Sequence, residues 1–137
     1  MGRGWLAGAL GIVLWLSAPA PAAAYYSATW LEDSGGYEAA VRQQRYQHVP
    51  ILIYFRVDWC PHCRELDGVL EDGKVRSRLA EMIKVRINPE HGEAEKRLFN
   101  AEFGGGGYPR VFVRTDGGSA TAIRHGGPPE RFLEQLP

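Results

Sequence analysis

This chain of 137 residues contains two cysteines, and they are the residues best suited to covalent chemistry. Cys60 and Cys63 are separated by two residues in the segment Trp59-Cys60-Pro61-His62-Cys63. A thiolate at Cys60 can attack the disulfide of another molecule, and Cys63 can then break the mixed disulfide and close an internal one. The spacing therefore predicts thiol–disulfide exchange in which Cys60 attacks and Cys63 resolves.

The elements predicted on either side of this pair would make Cys60 the reactive thiol. The almost continuous apolar run from Ile51 to Val57 predicts a strand buried on both faces. Pro61 suits the first turn of the helix that follows, because an N–H at that position is unpaired in any case. Cys60 would then lie at a helix N-terminus, where unpaired N–H groups and the helix dipole favour a thiolate. Pro61 and His62 are the residues expected to tune the pKa of Cys60.

Other uses of two cysteines stay open from the residues alone. A structural disulfide is possible, although a four-residue loop gains little stability from closure. A zinc site needs two more ligands, and none of the four histidines stands at a recognisable ligand spacing. Attached haem needs a histidine directly after the second cysteine, where Arg64 stands. The main alternatives are a Cu(I) carrier with Cys60, Cys63 and His62 as ligands, and a non-catalytic module that binds a partner. Exchange itself needs no cofactor and no metal.

The remaining pattern predicts an α/β domain with a central sheet covered on both sides. Ile83, Val85 and Ile87 alternate with Lys84 and Arg86, which predicts a strand with one buried face. The other predicted elements are a helix 37–47 after a cap at Ser34, a helix opened by Asp72, a helix 93–103, a hairpin of 111–113 and 121–124 around Asp116-Gly117, and a final helix 129–136. His125 is expected to be an exposed loop residue.

The segment Trp59-Cys60-Pro61-His62-Cys63, preceded by Ile51-Leu52-Ile53-Tyr54-Phe55, resembles the thioredoxin superfamily. The chain looks most similar to exported thioredoxin-like domains related to the C-terminal domain of DsbD-type thiol:disulfide interchange proteins. The resemblance implies a thioredoxin fold, in which a central mixed β-sheet is flanked by helices on both faces. It also implies protein disulfide or dithiol substrates and a redox partner protein that recycles the cysteine pair.

The resemblance extends to a second landmark, a cis-proline that faces the cysteine pair. Gly107-Tyr108-Pro109 fits this landmark. Trp59, Tyr108 and Pro109 are then expected to form the substrate-binding surface, with Trp59 half buried beside Cys60.

Two positions depart from the family pattern. Tyr54 stands where an acidic residue usually lies six positions before the first cysteine, which puts the usual proton relay in doubt. Arg110 follows the proline, where a small residue or threonine is common. It is expected to point to solvent, because most charged strand residues are solvated, and the alternative is that it brings positive charge towards the Cys60 thiolate. The direction of electron flow stays open, because the Pro-His pair resembles DsbA-type oxidases whereas the broader chain resembles reductive domains.

The first 24 residues have the pattern of a targeting sequence. A single positive charge at Arg3, an apolar run from Trp5 to Leu16 and small residues ending at Ala24 are typical of a cleaved secretory signal peptide. We expect residues 1–24 to be removed and residues 25–137 to form one thioredoxin-like domain, periplasmic in a bacterium or in the secretory pathway of a eukaryote. The alternative is an uncleaved membrane anchor, but the apolar run is too short to span a bilayer and is followed by Pro19 and Pro21, so no stable span is expected after cleavage.

The overall charge excludes one class of partner. Sixteen basic and sixteen acidic residues cancel, so the chain lacks the net positive charge that nucleic-acid binding requires.

Overall fold

The computed structural model describes residues 29–137, and the predicted signal peptide lies outside them. Within this range the strands form one sheet. They are β1 (Leu31–Glu32), β2 (Ile51–Phe55), β3 (Ile83–Ile87), β4 (Arg110–Arg114) and β5 (Ala120–Ile123). The strand order is β1-β3-β2-β4-β5. β3 pairs in parallel with β1 and β2, whereas β4 is antiparallel to β2 and β5, so the sheet is mixed as expected.

Helices cover both faces of this sheet. They are α1 (Asp33–Gln47), α2 (Pro61–Leu70), α3 (Gly73–Leu79), α4 (Glu93–Arg97), which continues as a π-helical turn over Leu98–Glu102, and α5 (Pro129–Leu133). Of the helices in residues 29–137, none combines the length and the apolar character needed to cross a membrane.

Strand β2 is completely buried and separates two hydrophobic cores, because its successive side chains alternate between the two faces. The first core lies beneath α1 and the π-helical turn and consists of Ala40, Ile51, Ile53, Phe55, Ile83, Val85, Ile87, Leu98, Phe99, Phe103 and Phe112. The second lies beneath α2, α3 and α5 and consists of Leu52, Tyr54, Leu66, Leu70, Val75, Leu79, Met82, Val111, Val113 and Phe132. The prediction of a sheet covered on both sides is confirmed.

Strand β3 is buried more completely than its alternating pattern predicts. Lys84 is only 6% exposed, and its Nζ lies 5.7 Å from the centre of the Trp30 ring. The guanidinium of Arg86 lies 5.8 Å from the same ring. The prediction of one solvated face was therefore wrong, because the charged groups of both residues pack against the indole of Trp30.

The start of α1 also differs from the prediction. The helix begins at Asp33, and Ser34 is not its cap. The hydroxyl and the backbone N–H of Ser34 instead donate to Glu95 in α4, which lowers the pKa of that carboxyl. Asp72 does cap α3, as predicted, since its carboxylate accepts from the N–H groups of Lys74 and Val75.

Candidate functional site

The cysteine pair lies between the end of the buried strand β2 and the first turn of helix α2. Val57 is fully buried after the strand ends, and its carbonyl accepts a hydrogen bond from the N–H of Cys60 at 3.4 Å. Cys60 is the N-cap of α2, with extended backbone, and Pro61 is the first helical residue. The predicted position of Cys60 at a helix N-terminus is confirmed.

The two sulfurs are joined by a disulfide, with the Cα atoms 5.2 Å apart. The Sγ of Cys60 also accepts a hydrogen bond from the N–H of Cys63 at 3.1 Å. Cys60 is 3% exposed and Cys63 is 0% exposed. Cys60 is thus the less buried of the two cysteines, and the helix N-terminus stabilises negative charge on its sulfur.

His62 lies on the solvent side of the first turn of α2. Its side chain is exposed, and its Nδ1 lies 3.0 Å from a carboxylate oxygen of Glu65, one turn further along the helix. Glu65 therefore orients the imidazole, and His62 adds its charge to the site when it is protonated.

Three aromatic residues form a row beside Cys60. Trp59 packs edge-on against Tyr108, which stacks on Phe99. Tyr108 also contacts the small cluster of Val57, Cys60 and Cys63. Trp59 is 63% exposed, so the expectation that it is half buried was wrong, because its indole N–H is held outward by the carboxylate of Glu90 at 3.1 Å.

The second landmark has the expected geometry. The peptide bond between Tyr108 and Pro109 is cis, and Pro109 is buried. Arg110, however, does not point to solvent as expected. Its Nη1 donates to the carbonyl of Gly105 at 2.7 Å, and its guanidinium lies 5.2 Å from the Phe112 ring centre. Arg110 thereby ties the glycine-rich segment 104–107 to the start of β4.

Tyr54 takes part in a buried network that the sequence did not predict. Its hydroxyl lies 3.1 Å from the carbonyl oxygen of Cys63 and 3.0 Å from Oδ1 of Asp67, and it can donate to either. The Oδ2 of Asp67 lies 3.3 Å from Nη1 of Arg56. Burial, and then the Asp67 carboxylate, raise the pKa of the Tyr54 hydroxyl. The available signal was the spacing of Asp67, which follows Cys63 by four residues and so faces the same side of α2.

His125 is not the exposed loop residue that we expected, because it is half buried. Burial lowers its pKa, and the charges of His62 and Arg110 lower it further. Nothing in its local sequence predicts this burial.

No group of three or more histidine, cysteine, aspartate or glutamate side chains in residues 29–137 is arranged to hold a metal ion.

A mixed sheet between two helical layers, with paired cysteines at the first turn of a helix and a cis-proline, defines a protein of the thioredoxin fold. The sequence model of the thioredoxin-like family matches residues 29–115. Because this match spans more than half of the chain, the chain belongs to the thioredoxin-like family. The fold and the close cysteine pair support thiol–disulfide redox activity in general.

Solved structures show the same fold. The reduced C-terminal domain of DsbD from Neisseria meningitidis is 22% identical, over 79% of this chain and 96% of that one, with a TM-score of 0.63. A thioredoxin from Thermus thermophilus is 18% identical, over 78% of this chain and 84% of that one, with a TM-score of 0.62. A disulphide isomerase from Xylella fastidiosa Temecula1 is 26% identical, over 64% of this chain and 69% of that one, with a TM-score of 0.51. No curated protein sequence is significantly similar to the chain.

Proposed function

We propose that this chain is an exported thiol–disulfide oxidoreductase that exchanges disulfides with protein substrates through Cys60 and Cys63. The observation that carries the proposal is the environment of Cys60. Its sulfur is at the N-terminus of α2, accepts the N–H of Cys63, and is bonded to a second sulfur that is fully buried. A purely structural bridge has no need of these features.

The geometry supports exchange in two steps. In the reduced protein, the Cys60 thiolate attacks a partner disulfide, so that a bond forms between Cys60 and one partner sulfur while the other partner sulfur leaves as a thiolate. Cys63, one helical turn away, then attacks Cys60 and displaces the partner. Because Cys63 is buried, the partner contacts only Cys60. The oxidising direction is the reverse of these steps.

The surface around Cys60 is suited to a polypeptide partner. Trp59 and Tyr108 offer aromatic surface on one side, and Pro109 precedes β4 on the same side of the pair. We propose that these three residues bind the segment that carries the partner cysteine, while Pro61 and His62 tune the Cys60 thiolate. A separate redox protein then recycles the pair.

Export is proposed from the sequence pattern of residues 1–24, which would place residues 25–137 in the periplasm of a bacterium or in a eukaryotic secretory pathway. The reduction potential of the Cys60–Cys63 pair, measured against glutathione buffers, assigns the chain as an oxidant or a reductant of its partners.

The proposal predicts that Cys63→Ala accumulates mixed disulfides with partner proteins. Without Cys63, the bond between Cys60 and the partner cannot be resolved from within the protein. The adducts are detected in the export compartment by non-reducing electrophoresis and mass spectrometry, and reducing agent should release them.

The matched control is Cys60→Ser, which keeps Cys63 but removes the accessible sulfur and should yield no adduct. Failure of Cys63→Ala to trap any protein would contradict the proposal. Stoichiometric copper in the purified reduced protein, without reduction of insulin disulfides, would indicate the Cu(I) carrier instead.

A further inference from the structure

We propose that His125 is a catalytic base of the exchange reaction, which accepts the proton of the partner thiol that attacks Cys60. This inference rests on the function proposed above. His125 lies outside the Trp59–Cys63 motif. Three observations support its role: the strand register at this end of the sheet, the position of His125 on the α2 side, and the charges around its ring.

The register brings His125 to the catalytic end of the sheet. Val111 of β4 lies opposite Ile123 of β5 in an antiparallel pair. Continuing this register by two residues sets His125 opposite Pro109. Arg110, the next residue of β4, lies opposite Phe55, the last residue of β2 before the chain continues to Cys60. His125 and the cysteine pair therefore lie at the same end of the sheet.

His125 lies on the face of the sheet that α2 covers. Ile123 packs against the core that contains Val111 and Leu66. His125 lies two residues beyond the end of β5, and the charge of His62, in the first turn of α2, acts on it, so His125 lies on the side covered by α2. Helix α2 begins at this end of the sheet with Cys60 as its N-cap. His125 thus lies towards the helix terminus that carries the reactive sulfur.

The backbone beside His125 is fixed by a side chain of the segment that follows α5. The Oε1 of Gln135 accepts from the N–H of Arg124 at 2.7 Å, and its Nε2 donates to the carbonyl of Arg124 at 2.9 Å. These two bonds hold the backbone of Arg124, the residue before His125. The imidazole of His125 itself has no hydrogen-bond partner among residues 29–137, so a ring nitrogen is free to accept a proton.

Burial lowers the pKa of His125, and the positive charges of His62 in α2 and Arg110 in β4 lower it further. From α5, Arg131 lies over Gly127 and adds a further positive charge to this loop. The carboxylate of Glu65 is bound to His62 instead. Near neutral pH His125 is therefore an uncharged imidazole, the form that acts as a base.

The proposed step balances as follows. A partner thiol R–SH gives its proton to His125, and its sulfur forms a bond with Sγ of Cys60. The bond between Cys60 and Cys63 breaks, and its electron pair stays on the Cys63 sulfur as a thiolate. The proton on His125 passes to solvent, or returns to the partner sulfur in the reverse reaction.

The test is the rate at which dithiothreitol reduces the Cys60–Cys63 disulfide between pH 5.5 and 8.5, followed by acid quench and mass spectrometry. Exchange that depends on free thiolate alone rises tenfold per pH unit below the thiol pKa. In the wild type we expect a much shallower rise between pH 6.5 and 8, because His125 removes the proton. His125→Gln should show the full tenfold slope and be at least about tenfold slower at pH 7.

The control is His91→Gln, which removes a histidine paired with Asp33 and should keep the wild-type slope. Added imidazole should restore the rate of His125→Ala. Parallel pH profiles for the wild type and His125→Gln, whether or not the rates differ, would overturn this inference and leave the proposed function standing. A wild-type protein that exchanges no disulfide at all would overturn the proposed function as well.

Discussion

The two cysteines of the bridge have different hydrogen-bond partners. The Sγ of Cys60 accepts the N–H of Cys63, whereas the backbone carbonyl of Cys63 accepts from the buried hydroxyl of Tyr54. Tyr54 in turn contacts Asp67, which is paired with Arg56. The carboxylate of Asp67 is therefore near the buried Cys63, but it is linked to the site through Tyr54. The Tyr54 hydroxyl contacts the backbone of Cys63 and not its sulfur.

Removing the Tyr54 hydroxyl tests this support. In Tyr54→Phe the half-buried Asp67 carboxylate loses one of its two partners, so the free energy of unfolding should fall by about 1 kcal/mol. Urea unfolding of the oxidised protein measures the change. Tyr46→Phe is the matched control, because Tyr46 is 85% exposed and its substitution should leave the stability unchanged. Equal stability of Tyr54→Phe and the wild type would show that the network adds nothing to the fold.

For single residues, the sequence predicts those positions and contacts that are set by neighbours in the chain. Cys60 as N-cap and Pro61 at the first helical position follow from the order of types along a few residues. The exposure of Trp59 and the inward turn of Arg110 depend on Glu90 and Gly105, which are distant in sequence or lie in a loop without a repeating pattern. The half-burial of His125 has no signal in its local sequence either.

Among the elements, one aspartate connects the start of α1 to the segment that follows β3. Asp33 has a positive φ of 58°, and its carboxylate accepts the N–H of Asn88 at 3.1 Å while lying 2.8 Å from Nδ1 of His91. These contacts tie the first residue of α1 to the segment that follows β3. The hydrogen bond to Asp33, above all, raises the pKa of His91.

This contact predicts a pH-dependent stability. A histidine whose pKa is raised by folding stabilises the protein fully below its ordinary value of about 6.5, and this contribution disappears as the pH rises through the raised value. His91→Gln should therefore lower the thermal midpoint at pH 5.5 and change it little at pH 9. Because His91 is more than half exposed, a small shift is expected. An equal loss at both pH values would show that His91 acts without its charge.

The elements that the sequence predicted less well are those set by the assembled sheet. The two-residue strand β1 has no pattern of its own and exists through its pairing with Val85 and Arg86. The segment 93–103 was predicted as one helix, but it widens into a π-helical turn that places Leu98 and Phe99 in the first core. The strands β2 and β3 and the helix after the cysteines were predictable because each carries a strong local pattern.

For the whole molecule, the two cores account for a fold that does not depend on its disulfide. The bridge closes only a four-residue loop, and such loops contribute little through chain entropy. The layers on both faces of β2 bury aromatic and aliphatic side chains instead. The protein can thus pass between its oxidised and reduced states with the same architecture.

The proposed export predicts a processed chain. When the protein is produced with its own leader in a bacterium, intact-mass measurement should show loss of 24 residues and a new N-terminus at Tyr25. Replacing Ala24 by a bulky residue should leave the leader attached, because cleavage requires small residues at this position. A secreted or retained protein that keeps residues 1–24 without any substitution would contradict the prediction.

The bridge formed by Gln135 has a consequence for colloidal behaviour. Strand edges with unpaired backbone groups are templates on which a second chain can add and start aggregation. One edge of this sheet is the two-residue β1, which is too short to serve as a template. At the other edge, the amide of Gln135 occupies both the N–H and the carbonyl of Arg124, just after β5. A side chain of the molecule thus blocks one backbone position at which an incoming strand would bind.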